Sequence, residues 1–367
     1  MLYCFPYRVN ERNIMLDNEN IYAEIDPDGM LELLRAFPAQ LIEGRQLAGD
    51  ADISAIDPDK IANIVVCGMG GSAIGGDLVK SYTIGELRVP IFTNRDYSLP
   101  EFVNGGTLII GCSYSGNTEE TLEAFSAAGK RGAQRAVITT GGRLAEIAES
   151  EGIPIIKIPG GLPPRAALGL SISPLLALLE RLGLIPNQST AVNDAYIQLL
   201  SGVENYDTEV STNDNAAKIL AYALYQKLPL IYSDSLHFDS VAVRFRGQIN
   251  ENAKQLAYSA TLPENNHNEL VGWKNIGPLD DILISICLKD RKMNDRVVFR
   301  MRFMAEVQEK LGVEAIVLES IGDTLLARMF SLIQLGDWAS YYLAILNKEN
   351  PMPVKIIDKL KSELKKV

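Results

Sequence analysis

Three hydroxyl side chains, Ser113, Ser115 and Thr118, stand at i, i+2 and i+5 in the run Ser113-Tyr114-Ser115-Gly116-Asn117-Thr118-Glu119-Glu120-Thr121. Hydroxyls that converge with the unpaired amides of a helix start make a seat for a phosphate without a lysine, because the helix dipole is positive there. The same residues fit a plainer reading, an N-cap followed by a serine–threonine turn. A second run, Gly68-Met69-Gly70-Gly71-Ser72-Ala73-Ile74-Gly75-Gly76, carries glycines that let a ligand approach the backbone. Ser72 is placed there to cap a helix or to bind an anion. The spacing Gly68-x-Gly70-x-x-Ala73 also fits the loose dinucleotide fingerprint, although the next strand runs into Thr93-Asn94-Arg95 and not into an acidic residue. Three readings stay open for this run: a close-packed turn, a phosphate site and a dinucleotide site. Two such turns, each ending a strand and opening a helix, weigh toward a phosphorylated small molecule.

The elements that must position these turns follow from the apolar pattern. Strands are predicted over 63–67, 89–92, 107–112, 134–138 and 153–158, with helices over 72–82, 117–131 and 143–150 between them. A helix over 27–48 precedes the series, and a long apolar helix over 166–182 follows it. Strand–helix alternation of this kind gives a parallel sheet with helices on both faces. After Leu184-Ile185-Pro186 the pattern restarts, with strands over 228–233, 282–288 and 315–318. Helices are predicted over 191–203, 213–226, 238–253, 293–310 and 323–346, and a short one over 354–365. The expected fold is α/β, two doubly wound parallel-sheet domains over 1–186 and 187–367 with a C-terminal helix. The halves echo one another: 64–68 enters a turn holding Ser72, and 229–232 enters a turn holding Ser233 and Ser235. The second turn reads as a degraded phosphate turn.

The length of 367 residues matches two domains of ordinary globular composition, 47% apolar and 22% charged. No apolar run reaches the roughly 18 residues of a membrane span, and the N-terminus lacks the order of a signal peptide. A net charge of −11 disfavours nucleic acid and anionic membrane as partners. The four cysteines form no CxxC pair, and three of them (Cys67, Cys112 and Cys287) lie in apolar strand-like runs. This reads as a protein of the reducing cytoplasm without a disulfide framework or structural zinc. Only two histidines occur and the acids do not cluster, so no metal and no cofactor are expected.

The two turns resemble the sugar isomerase (SIS) domain. With Gly161-Leu162-Pro163-Pro164-Arg165-Ala166, Arg246-Gly247-Gln248-Ile249-Asn250-Glu251-Asn252, Asn266-His267-Asn268-Glu269-Leu270 and Pro353-Val354-Lys355, the chain resembles the bifunctional phosphoglucose/phosphomannose isomerase family. Six short motifs match, in order, from about residue 60 to residue 356. The resemblance implies that Gly70 and Gly71 lie against the sugar with Ser72 beside the phosphate. It gives Ser113, Ser115 and Thr118 to the phosphate, Arg165 to the reacting carbons, and Glu251 the role of catalytic base. It makes His267 the ring-opening histidine, supplied across a homodimer interface, and sets Lys355 near the ring oxygen.

The residue types suit that chemistry. Aldose–ketose interconversion moves a proton between carbons 1 and 2 through an enediol(ate), which one carboxylate can do from one face. Glu251 follows Val241, Phe245 and Ile249 on its predicted helix, so partial burial is expected, and burial moves a Glu pKa toward the operating pH. Its plain alternative is a surface Glu paired with Lys254. Arg165 stays protonated and Pro163-Pro164 stiffen its approach, which suits it to a developing enediolate charge. A histidine suits ring opening because it changes charge near neutral pH. His237, in the turn after 228–233, is read as structural, and the resemblance alone singles out Lys355. The expected reaction interconverts fructose 6-phosphate with glucose 6-phosphate and mannose 6-phosphate without a metal. The alternatives are another SIS-type isomerase, of aminosugar kind, and a non-catalytic sugar-phosphate regulator. An amidotransferase is disfavoured because position 2 is Leu2, and a DNA-binding regulator because residues 1–60 hold no basic recognition helix.

Overall fold

Short, largely apolar runs form most of the strands, and amphipathic stretches between them form the helices. The structure, a computed structural model, describes residues 15–364 and Lys366. Among these the strands are β1 (Asn63–Cys67), β2 (Ile91–Asn94), β3 (Thr107–Ser113), β4 (Gln134–Thr139) and β5 (Ile155–Lys157). Four more follow: β6 (Leu228–Asp234), β7 (Tyr258–Leu262), β8 (Leu283–Lys289) and β9 (Glu314–Glu319). The helices are α1 (Asn20–Ile25), α2 (Met30–Asp50), α3 (Gly70–Thr83), α4 (Glu119–Lys130), α5 (Gly142–Glu151), α6 (Gly169–Arg181) and α7 (Ser189–Tyr206). Beyond them lie α8 (Ala216–Leu224), α9 (Asp239–Asn252), α10 (Glu269–Gly272), α11 (Asp295–Glu309), α12 (Leu325–Leu346) and α13 (Lys355–Leu364). They form two compact units, neither continuous in sequence. The first comprises Ala36–Leu199 with Gly322–Ala327, and the second the remaining described residues.

In the first unit all five strands are parallel, in the order β2-β1-β3-β4-β5. Helices α3 and α6 cover one face, α4 and α5 the other, as right-handed strand–helix–strand crossovers require. The core on the α4/α5 side joins Val65 and Cys67 of β1, Ile109 of β3 and Val137 of β4 to Ala124, Phe125 and Ala128 of α4. Each fully buried aliphatic or aromatic side chain there contributes about 1.5–3 kcal/mol. Gly111 opposes Phe125, whose ring would lie 2.9 Å from a Cβ at that position, so the bare strand backbone makes room for the ring.

The second unit repeats the plan with four parallel strands in the order β7-β6-β8-β9, which corresponds to β2-β1-β3-β4 of the first. The expectation of two doubly wound parallel-sheet modules holds. Met301 and Met304 of α11 pack with Tyr232, Leu283 and Cys287 on one face. Helix α9 packs on β6 and β7. It is locked to α12 by a buried ion pair, Arg244 Nη2 to Asp337 Oδ2 at 2.6 Å, and by Asn252 Nδ2 donating to Ser340 Oγ at 3.0 Å. Lys218 of α8 is fully buried, and its ammonium donates to the carbonyls of Thr208 and Val210 and to Asp17.

Strand β7 was not legible in the sequence. Tyr258-Ser259-Ala260-Thr261-Leu262 is an edge strand whose only buried residue is Leu262, so it lacks the apolar run that marked its neighbours. Cys67, Cys112 and Cys287 are buried free thiols, and burial pushes each up to about 12, which leaves them as inert packing groups. Cys4 and the start of the N-terminus lie outside the described residues. Among the described residues no helix is long and apolar enough to cross a membrane, and no three His, Cys, Asp or Glu side chains group as metal ligands do.

Candidate active site

In the first unit the strand order reverses between β1 and β3, and ligands of such sheets bind outside the carboxyl ends of the strands at that switch point. The two turns singled out in the sequence leave these two strands. Gly68 and Met69 link β1 to α3, and Tyr114–Thr118 link β3 to α4.

Ser113 is buried at the end of β3, and its hydroxyl pairs with that of Thr118 at 2.9 Å. Thr118 holds the N-cap position of α4, yet its side chain makes no capping bond and turns to Ser113. The opening amides of α4 are therefore not taken by the cap. Ser115 is exposed at the rim, and its Oγ accepts from Asn117 N at 3.3 Å. Gly116 takes φ +68°, and a Cβ there would overlap the Gly141 carbonyl, so the turn requires glycine.

Ser72 differs from its expected position. Helix α3 begins two residues earlier than predicted, at Gly70, with Met69 as its N-cap. The left-handed Gly70 (φ +52°) starts the helix without a side-chain cap. Ser72 is thus inside the first turn, and its Oγ accepts from Tyr114 N at 3.2 Å, which ties the glycine turn to the hydroxyl turn.

Arg165 follows in a short 3-10 turn, Pro164–Ala166, and is only 5% exposed. Its backbone packs against the glycine turn, since a Cβ on Gly71 would lie 2.6 Å from Pro164 O and 3.2 Å from Arg165 N. The loops meet around a small cavity lined by Gly71, Ser72, Cys112, Tyr114, Pro164 and Ser171. Gly71, Ser72, Ser113, Thr118 and Arg165 are thus linked through the turns of one unit, with Gly70 and Ser115 on their exposed side.

The second unit carries the other three residues. Glu251 is half-buried in the last turn of α9, next to the buried Asn252 that anchors the helix to α12. Lys254, with φ +54°, folds back so that its ammonium donates to the carbonyl oxygens of Glu251 at 2.8 Å and Asn350 at 2.7 Å, and so caps the helix end. His267 is exposed at the end of the turn Glu264–His267, directly after β7, on which α9 packs. Lys355 is exposed at the start of α13.

The corresponding turn after β6 is organised differently. Asp234 Oδ1 accepts from the amides of Leu236, His237 and Phe238 at 3.1, 2.8 and 2.9 Å. A carboxylate of the chain itself thus ties the three amides that lead into α9, up to its N-cap Phe238. A cavity of about 310 Å³ in this unit, walled by Leu230, Tyr258, Trp273 and Leu283, carries Glu269 bonded to the Tyr232 hydroxyl. None of the expected site residues lines it.

Two parallel sheets of one strand order, with hydroxyl and glycine turns at the switch point of the first, define an SIS-domain protein. Residues 213–364 match the family model described as bacterial phospho-glucose isomerase C-terminal SIS domain. A hypothetical protein of Thermus thermophilus shares the fold, with a TM-score of 0.74 at 16% identity over 96% of this chain and 94% of that one. The chain belongs to the bifunctional phosphoglucose/phosphomannose isomerase family. It is 40% identical to the member from Caldicellulosiruptor bescii over 92% of this chain and 99% of that protein. It is 37% identical to the Aquifex aeolicus member over 89% of this chain and 98% of that protein.

Proposed function

We propose that the protein interconverts fructose 6-phosphate with glucose 6-phosphate and mannose 6-phosphate through a cis-enediol(ate), without a metal. The observation that carries this reading is the switch-point turn of the first unit, where the Ser113–Thr118 hydroxyl pair stands beside the glycine turn that packs on Arg165. Family membership supports the reaction. Ser113, Ser115 and Thr118 with the α4 amides hold the phosphate, and Ser72, Gly70 and Gly71 line the sugar. Arg165 neutralises the enediolate oxygen as charge develops there. Glu251 takes the proton from one carbon and returns it to the other. The two aldoses differ at carbon 2 alone, so one base serves both when the enediolate rotates about the bond between carbons 2 and 3. Lys355 acts near the ring oxygen. The working form is a homodimer in the cytoplasm, acting in glycolysis and gluconeogenesis, in which His267 of a second copy opens the ring.

Purified protein assayed in chelator with each aldose 6-phosphate should turn over both. Glu251→Gln should lower kcat by about 10²–10⁴ with substrate still bound. Near-wild-type turnover in that variant would remove Glu251 from its role, and activity lost to chelator and restored by a divalent metal would overturn the metal-free scheme. Mixing two inactive chains, Glu251→Gln and His267→Ala, should restore activity, because the mixed dimer regains one site holding both groups. No recovery in mixed dimers would place the histidine and the base on the same chain.

A further inference from the structure

We propose that Tyr114 is a positioning residue of this site, holding Arg165 at a set distance from the phosphate turn. The inference rests on the role proposed for Arg165 and lies wholly within the first unit. Tyr114 stands between two of the phosphate hydroxyls, and each of its polar groups ties the turn to a different loop. Its N–H donates to Ser72 Oγ on α3 at 3.2 Å. Its carbonyl accepts from Thr140 N at 3.2 Å and Thr140 Oγ1 at 2.7 Å, just after β4. Its phenol donates to Pro159 O at 2.9 Å and accepts from Leu162 N at 3.0 Å, across the loop that leads to Arg165.

The last pair matters because of the loop's composition. Pro159-Gly160-Gly161-Leu162-Pro163-Pro164-Arg165 carries two adjacent glycines, one of them at φ +96°, which leave the backbone loose. Pro163 and Pro164 have no amide hydrogen. Between Gly161 and Arg165, Leu162 therefore holds the only backbone donor, and the Tyr114 hydroxyl takes it. One oxygen atom pins the flexible part of the loop at both ends, Pro159 and Leu162. Pro163 and Pro164 then transmit that fixed point stiffly to Arg165. Burial raises the phenol above its ordinary value, so it stays protonated and keeps donating across the neutral range. The side chain that fixes the Arg165 loop thus belongs to the phosphate turn itself. The span from phosphate seat to Arg165 is thereby held at one length, independent of the glycines in the loop.

Tyr114→Phe tests this, because it deletes one oxygen and leaves the backbone bonds to Ser72 and Thr140. The expected result is a fall in kcat of about 10-fold or more, since sub-ångström misplacement of a reacting group is costly. KM and competitive inhibition by inorganic phosphate should stay within about 2-fold, because the phosphate seat is untouched. A kcat within about 2-fold of wild type, or an equal loss in kcat and in phosphate inhibition, would overturn the proposal. Arg165→Lys is measured in parallel. If it is crippled while Tyr114→Phe is not, the positioning role fails and the Arg165 assignment stands. If neither variant loses activity, the Arg165 assignment itself falls.

Discussion

Gly71→Ala is the most direct probe of how the fold sets the site. The glycine in the first turn of α3 packs against the backbone that presents Arg165. An alanine Cβ there would lie 2.6 Å from Pro164 O, 2.8 Å from Pro164 C and 3.2 Å from Arg165 N. Ordinary contact begins at 3.4 Å, so the carbonyl must retreat by 0.8 Å. All three neighbours are backbone, two of them in a proline, and they cannot rotate aside as a side-chain tip would. The displacement is therefore passed to Arg165. Misplacement by about 1 Å costs on the order of 10²-fold in rate, so kcat should fall by about 10–100-fold. Overpacking of this size costs about 1–3 kcal/mol, which lowers Tm by a few degrees and leaves the protein folded. Steady-state kinetics with fructose 6-phosphate and a thermal melt of the same preparation read both quantities. Gly70→Ala is the contrast. Its Cβ meets no protein atom within 4 Å, but φ is +52°. It should cost about 1–2 kcal/mol of left-handed strain and raise KM, because the open space is where the sugar is proposed to lie. A folded Gly71→Ala protein with wild-type kcat would refute the link between α3 and Arg165.

Two further outcomes concern stability. The Glu180 carboxylate accepts from Arg45 through both oxygens at 2.8 and 2.9 Å, and from Asn187 and Gln188, and the Arg45 guanidinium foremost holds it below the usual carboxylate range. A carboxyl depressed in the folded state stabilises at neutral pH, and that contribution fades as pH falls through its folded value. Glu180→Gln should therefore have a lower urea midpoint than wild type at pH 7, and the gap should narrow as pH falls below the usual carboxylate range; a gap that does not change with pH would contradict the pairing. Lys218→Met should cost about 1–3 kcal/mol in urea unfolding, because it leaves the Thr208 and Val210 carbonyls without their buried donor while Asp17 keeps Thr212, and a loss under about 0.5 kcal/mol would show that those carbonyls find other partners.

Local pattern carried most of the architecture. The runs that became β1, β3, β6 and β8 are largely apolar and β4 carries the apolar stretch Ala136-Val137-Ile138, because strands covered on both faces must bury their centres, and their starts fall within a residue of expectation. The hydroxyl turn was legible as a strand-to-helix corner because an apolar run leads into Ser113 and an amphipathic pattern follows Thr118, while its hydroxyl spacing fits a plain cap as well as an anion seat. Lys355 and His267 were different. Both are exposed residues in polar surroundings, and their local sequence carries no physical signal that separates them from ordinary surface side chains.

By itself the sequence determined two parallel α/β modules and a hydroxyl-rich strand-to-helix turn, since periodicity and turn chemistry act over a few residues. Tertiary structure alone decided what those turns meet. Gly71 is glycine because of a carbonyl at Pro164, more than ninety residues on. Tyr114 looks like a packing aromatic until its hydroxyl is seen bridging Pro159 and Leu162. The matching turn of the second unit is held by Asp234, whose carboxylate takes the amides of Leu236, His237 and Phe238. Each of these depends on groups far apart in the chain or on the direction of one side chain, and neither is encoded in local hydrophobic period.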